Sequence, residues 1–276
     1  MREITIAHSP DSDDAFMFYA LVNNKIDTGD LKFINILNDI ETLNRKAFEG
    51  AYDVTAISFH AYAYVSDKYM LLPCGASMGI GYGPILVSKK QFELNDLKKL
   101  TVAVPGTLTS AFLVLKIFEP DVKYKVVQFD KIIDAVLNDE VSAGLLIHEG
   151  QLTYSKSGLV KIIDLGEWWY KETGLPLPLG GNAVRKGLDE QLIKRISKYL
   201  YESIKFALEN RAQALGYALQ FARGMDDNLA DKFVGMYVNE LTLDYGESGR
   251  RAVQLFLDIG FERGLIPRKV KVEFAD

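Results

Sequence analysis

The chain reads as an α/β protein of two units with a ligand cleft between them, and three features predict this. Strand and helix patterns alternate through two successive blocks, each suited to a parallel sheet covered by helices. Two extended stretches rich in Pro and Gly, "GYGPILVSKK" and "GLPLPLGGNAV", flank the second block. A helical tail follows, which has no strands of its own and must pack back on an earlier block.

In order, "EITIAHS" alternates as a strand and "DDAFMFYALVNN" follows as a helix, with Asp13 or Asp14 near its N-cap. "LKFINIL" is a second strand. "DIETLNRKAFEG" is a short helix that Asp39 opens and Gly50 stops. "YDVTAIS" and "FHAYAYVSD" close the first block as strand and helix. The pattern restarts with the strand "LTVAVPG", the helix "TSAFLVLKIF", the strand "KYKVVQF", the helix "DKIIDAVLND" and the strand "SAGLLIH". In the tail, Leu192, Ile196, Leu200, Ile204 and Leu208 recur every fourth residue and line up one apolar stripe.

Composition narrows the function. With 276 residues, 48% of them hydrophobic and 25% charged, the chain is an ordinary globular protein. A net charge of −5 argues against a nucleic-acid surface, which needs clustered Lys and Arg. One cysteine, Cys74, rules out an internal disulfide, and His8, His60 and His148 are too scattered for a histidine-rich metal centre. No stretch approaches the roughly 20 apolar residues of a membrane span, and the first residues enter a strand rather than a signal segment, so a cytoplasmic location is expected.

Ligands of such folds sit beyond the carboxyl ends of parallel strands, facing helix N-termini. Three turns fit: "HSPDSDDAF", "ISFHAY" with Ser58, and "VPGTLTSAF" with Thr107, Thr109 and Ser110. In the last, Gly106 permits close backbone approach, and hydroxyls stand beside N–H groups at a positive helix end, a cradle for a carboxylate or phosphate. Ordinary N-capping by Thr or Ser explains the same residues. His148 ends the last strand of the second block and would face the same cleft. It is either a core histidine or a general base.

"IHEGQLTYSKSGLVKIIDLGEWWYKETGLPLPLGGNAV", Ile147 to Val184, closely resembles the corresponding block of the 1,4-dihydroxy-6-naphthoate synthase family of the futalosine route to menaquinone. "NDIETLNRKAFEG" and "AVPGTLTSAF" match as well, and the similarity runs over nearly the whole chain. The resemblance implies a two-domain fold like that of class II periplasmic solute-binding proteins, with a large discontinuous domain and a small inserted one. The boundaries expected here are 1–92 and 176–276 for the large domain, the second part bringing a returning strand and the C-terminal helices, and 93–175 for the small one. The implied reaction turns cyclic dehypoxanthinyl futalosine into 1,4-dihydroxy-6-naphthoate, releasing the sugar-derived fragment as the new ring becomes aromatic. It needs a base but no redox cofactor and no metal. Carried over by motif, His148 is the proton acceptor, Ala56, Ile57 and Ser58 form one wall of the substrate site, and Thr109 with Ser110 forms another.

Where some members have a "SPCPND" type first turn, this chain has "SPDSDD", Ser9 to Asp14. Its aspartates disfavour an anion there and suit hydroxyl recognition or helix capping. Two other functions compete: a cytoplasmic solute-binding protein of the same fold, and chorismate dehydratase of the same pathway. The expected partner is a small anionic substrate, with no nucleic acid and no membrane, on a monomer or homodimer. The two extended segments are expected to act as hinges, with Gly180 and Gly181 supplying the freedom of one.

Overall fold

The computed structural model describes residues 1–222 and 225–276; residues 223–224, within the expected helical tail, lie outside the described residues. The first block runs Arg2–His8 (β1), Ser12–Val22 (α1), Leu31–Leu37 (β2), Ile40–Glu49 (α2), Val54–Ser58 (β3) and Phe59–Val65 (α3). As expected, β1 lies parallel to both β2 and β3. Three short strands follow, Tyr69–Leu71 (β4), Ser77–Gly79 (β5) and Ile85–Ser88 (β6). The second block is Thr101–Val104 (β7), Ser110–Phe118 (α4), Lys123–Val126 (β8), Ile132–Leu137 (α5) and Ala143–Leu146 (β9), with β7 parallel to β8 and β9. Gly150–Thr153 (α6), Val160–Asp164 (β10), Leu165–Thr173 (α7) and Leu177–Arg185 (β11) lead to the tail. The tail comprises Glu190–Glu209 (α8), Arg211–Ala218 (α9), Asp227–Tyr237 (α10), Glu240–Leu243 (α11) and Gly246–Glu262 (α12).

One sheet has the order β2-β1-β3-β11-β4, with β5 also paired to β11; the other has the order β10-β6-β9-β7-β8. The chain passes from the first sheet to the second between β5 and β6 and returns between α7 and β11. The two Pro- and Gly-rich stretches are therefore more than connectors. Ile85–Ser88 inside "GYGPILVSKK" is a strand of the second sheet, within the part expected in the first unit. Leu177–Arg185 inside "GLPLPLGGNAV" is an interior strand of the first sheet, antiparallel to β3. Gly180 and Gly181 stand opposite Ser58 and Ile57 in that ladder, so they lie within a sheet. A Cβ on Gly181 would collide with the Tyr245 hydroxyl and meet Phe59 Cζ at 3.2 Å, which explains glycine here by close approach.

Local signals set several ends as the sequence suggests. Asp39 accepts from the Thr42 N–H, and Gly50 closes α2 in the left-handed region at φ 67°. Helix α1 differs: its N-cap is Asp11, whose side chain makes no capping bond, while Asp13 and Asp14 lie inside its first turn. The stripe Leu192, Ile196, Leu200 and Ile204 of α8 is buried and, with α9 and α10, packs on α1, so the tail returns to the first sheet. Each such side chain contributes roughly 1.5–3 kcal/mol of burial.

The apolar core is continuous between the two sheets on one side. Helix α4 of the second block packs on α3 and α12. Trp169 of α7 meets Phe256 of α12 edge-on at 5.4 Å. No helix among the described residues is long and apolar enough to cross a membrane.

Candidate active site

A cavity of about 740 Å³, counted out to its mouth, opens between the two sheets. The strand-to-helix turns after β1, β3 and β7 converge on it, as does the turn after β9. Ala56, Ile57, Ser58, Thr109, Ser110 and His148 all line it, together with Asp13, Asp14, Gln151, Leu179 and Tyr237.

Ser58 ends β3 and is held by Asn44 of α2, which gives its amide Nδ2–H to Ser58 Oγ at 3.0 Å and takes the Ser58 backbone N–H at 2.9 Å. At the start of α4, Thr109 serves as the N-cap. Its hydroxyl accepts from the Phe112 N–H at 3.1 Å and donates to the Gly106 carbonyl at 2.9 Å. That hydroxyl is committed to the helix, so the capping explanation of the sequence describes it. The N–H groups of Ser110 and Ala111 precede the first intrahelical bond, which runs from Leu113 to the Thr109 carbonyl. Any anion cradle at this turn is therefore made by backbone donors of residues that line the cavity.

His148 lies beyond the end of β9, at φ 51° in the left-handed region. Non-glycine residues adopt this conformation at a cost and are held in it by their surroundings. With its amide oriented to match its neighbours, Gln151 accepts from the His148 N–H at 3.2 Å and from the Tyr237 hydroxyl at 2.8 Å, and donates to the Gly83 carbonyl. The imidazole is 19% exposed, its Nδ1 is 3.3 Å from Asp11 Oδ2, and Phe129 stands edge-on at 5.2 Å.

The turn after β1 carries the strongest electrostatics. Burial, reinforced by the charges of Asp14 and Asp11, pushes the Asp13 carboxyl well above the usual carboxylate range. Burial also raises Asp14, against the pull of His8 and the bonds it accepts from Ser9 N–H at 2.8 Å and Ser9 Oγ at 2.7 Å. Burial lowers His8, which stacks on Phe18 at 4.3 Å. Asp13 thus sits on the cavity wall with its carboxyl biased toward the protonated form, and its buried Oδ1 has no hydrogen-bond partner among the described residues. When protonated, such a group donates to a hydroxyl or carbonyl of a ligand.

A protein-family model described as menaquinone biosynthesis matches residues 4–262. A 1,4-dihydroxy-6-naphtoate synthase of Thermus thermophilus is 39% identical over 265 residues, 96% of each chain. The chain belongs to the 1,4-dihydroxy-6-naphthoate synthase family of menaquinone biosynthesis. A crystal structure of an Archaeoglobus fulgidus protein is similar at 47% identity and TM-score 0.92, covering 96% of this chain and 98% of that one. The alkanesulfonate-binding protein of Xanthomonas axonopodis pv. citri, bound to MOPS, superposes at TM-score 0.72 with 12% identity, covering 98% of this chain and 96% of that one. At that identity it shows the fold alone, and the fold is that of periplasmic binding proteins.

Several residues in or next to this family member's cavity have no signal of their own in the sequence. Asp11 and Asp13 lie in a turn whose aspartates also fit capping, and only their burial separates the roles. Asn44, Gln151 and Tyr237 reach the site from three helices far apart in sequence. The nearest hint was the density of aspartates directly after a strand.

Proposed function

We propose that this protein is a carbon–carbon lyase that converts cyclic dehypoxanthinyl futalosine to 1,4-dihydroxy-6-naphthoate, with His148 as general base. The observation that carries the reading is His148 on the wall of a cavity that Ser58, Thr109 and Ser110 also line. The ring system that becomes aromatic suits the apolar wall made by Ile40, Ile57 and Leu179. Its carboxylate suits the first-turn N–H groups of Ser110 and Ala111. The sugar hydroxyls suit the Asp13 carboxyl, whose burial favours its protonated form, and its neighbour Asp14.

In this scheme His148 takes a proton from the substrate, the carbon–carbon bond to the sugar-derived fragment breaks, and the electrons released complete the aromatic ring.

Incubating the purified protein with cyclic dehypoxanthinyl futalosine, and separately with chorismate, tests the reading by product analysis. Formation of the naphthoate supports it. Turnover of chorismate alone makes the protein a dehydratase, and ligand binding without turnover makes it a solute-binding protein. His148→Asn is expected to retain product binding and to lose about 10²–10⁴-fold in kcat. Near-normal turnover in that variant removes the histidine from the mechanism.

A further inference from the structure

We propose that Asp11 is the positioning carboxylate of His148, so that the base is assembled across the cleft from two sheets. The inference rests on the reading of His148 as the base. Asp11 follows β1 of the first sheet and His148 follows β9 of the second, yet Asp11 Oδ2 lies 3.3 Å from His148 Nδ1. The Asp11 side chain is only 4% exposed. His148 is among the residues that line the cavity and Asp11 is not.

The local structure of Asp11 supports an assignment other than capping. An aspartate at an N-cap normally accepts from the N–H of the second or third helical residue. Asp11 has the extended N-cap backbone, φ −113° and ψ 157°, and forgoes that bond. Its carboxylate is instead directed at the imidazole. The other ionisable groups nearby have different tasks. Asp14 accepts twice from Ser9. Asp13 lies on the cavity wall, Tyr237 is engaged by Gln151, and Glu149 follows His148 in the chain.

A neutral imidazole carries its proton on one nitrogen, and the partner of that nitrogen selects the tautomer. A carboxylate at Nδ1 holds the proton there and leaves the Nε2 lone pair for the substrate, as an aspartate does for histidine bases in hydrolases. Without it, the ring is free to carry its proton on Nε2, where no lone pair then faces the substrate. Asp11 touches no reacting atom in this scheme and acts through His148.

Asp11→Ala and the isosteric Asp11→Asn in the full-length protein test this. With cyclic dehypoxanthinyl futalosine, Asp11→Ala is expected to lower kcat about 10–100-fold with little change in KM, a loss typical for partners that orient a functional histidine. Added formate should restore part of the rate to Asp11→Ala. Imidazole ¹⁵N spectra of the ligand-free proteins should show His148 protonated on Nδ1 in the parent and shifted toward Nε2 in Asp11→Ala. Unchanged kcat overturns the proposal, as does a loss without a tautomer change and without formate rescue. If the parent consumes no substrate, the functional reading fails by itself, and the spectra still decide the Asp11–His148 pair: an unchanged tautomer rejects it.

Discussion

Asp13 shows most directly how burial sets chemistry at a single residue. Its carboxyl lies in the first turn of α1 beside two more aspartates, so ionising it means placing charge on charge away from water. A carboxyl whose folded-state pKa is raised stabilises the fold only below the unfolded-state value, near pH ~3.9, and that contribution is lost as pH rises through the folded value. Asp13→Asn removes this penalty. The variant should therefore be more stable than the parent at pH 7. The advantage should vanish near pH ~4, where the unfolded carboxyl is protonated too. Denaturant melts across pH check this, and an equal gain at both pH values would show that Asp13 ionises without cost. Thr109 makes the complementary point. Its type and place in "VPGTLTSAF" allowed two roles, and only the bonds to Phe112 and Gly106 separate them.

At the level of elements, helices with strong local punctuation were legible and short strands were not. Asp39 and Gly50 bound α2 because capping is settled within a few residues of chain. Strand β11 has no such local cause. It holds Pro178 and two glycines, residues that weaken a strand, and its ladder with β5 slips between Pro178 and Gly180. What makes it a strand is pairing with β3, more than a hundred residues earlier in the chain. Gly181 is the test. Valine there must displace Tyr245 and Phe59, both fully buried. We expect Gly181→Val to destabilise the protein by roughly 1–3 kcal/mol or more through overpacking. Calorimetry would check this; an unchanged melting temperature together with slowed ligand release would restore the hinge reading.

Across the whole molecule, two kinds of contact join the sheets. On one side lies the shared apolar core around Trp169, Phe112 and Phe256, which any opening of that face would have to expose. On the cleft side the links are polar: Asp11 with His148, Gln151 with Tyr237, and Glu41 accepting from the Leu108 N–H at 3.3 Å. Polar links exchange for water at little net cost, whereas exposing buried apolar area costs about 25 cal/mol per Å². Opening should therefore break the polar side and pivot about the apolar one. Hydrogen exchange measured with and without 1,4-dihydroxy-6-naphthoate should slow in 106–112, 147–153 and 235–239 and stay unchanged in α12. Equal slowing in α12 would mean that ligand tightens the whole body and that the apolar side is no pivot.

The sequence by itself determined the two α/β blocks, the parallel order within each, the strand-end turns that meet at the cavity, and the family. These follow from periodicity and capping, which act over a few residues, and from a long motif of mixed residue types. Only the tertiary structure decided that the two Pro- and Gly-rich stretches supply strands to opposite sheets. It alone set Asp11 against His148, held Ser58 by Asn44, and buried Asp13 deeply enough to push its carboxyl well above the usual range. Each of these depends on which distant surfaces exclude water from which polar groups, and no local run of residues carries that information.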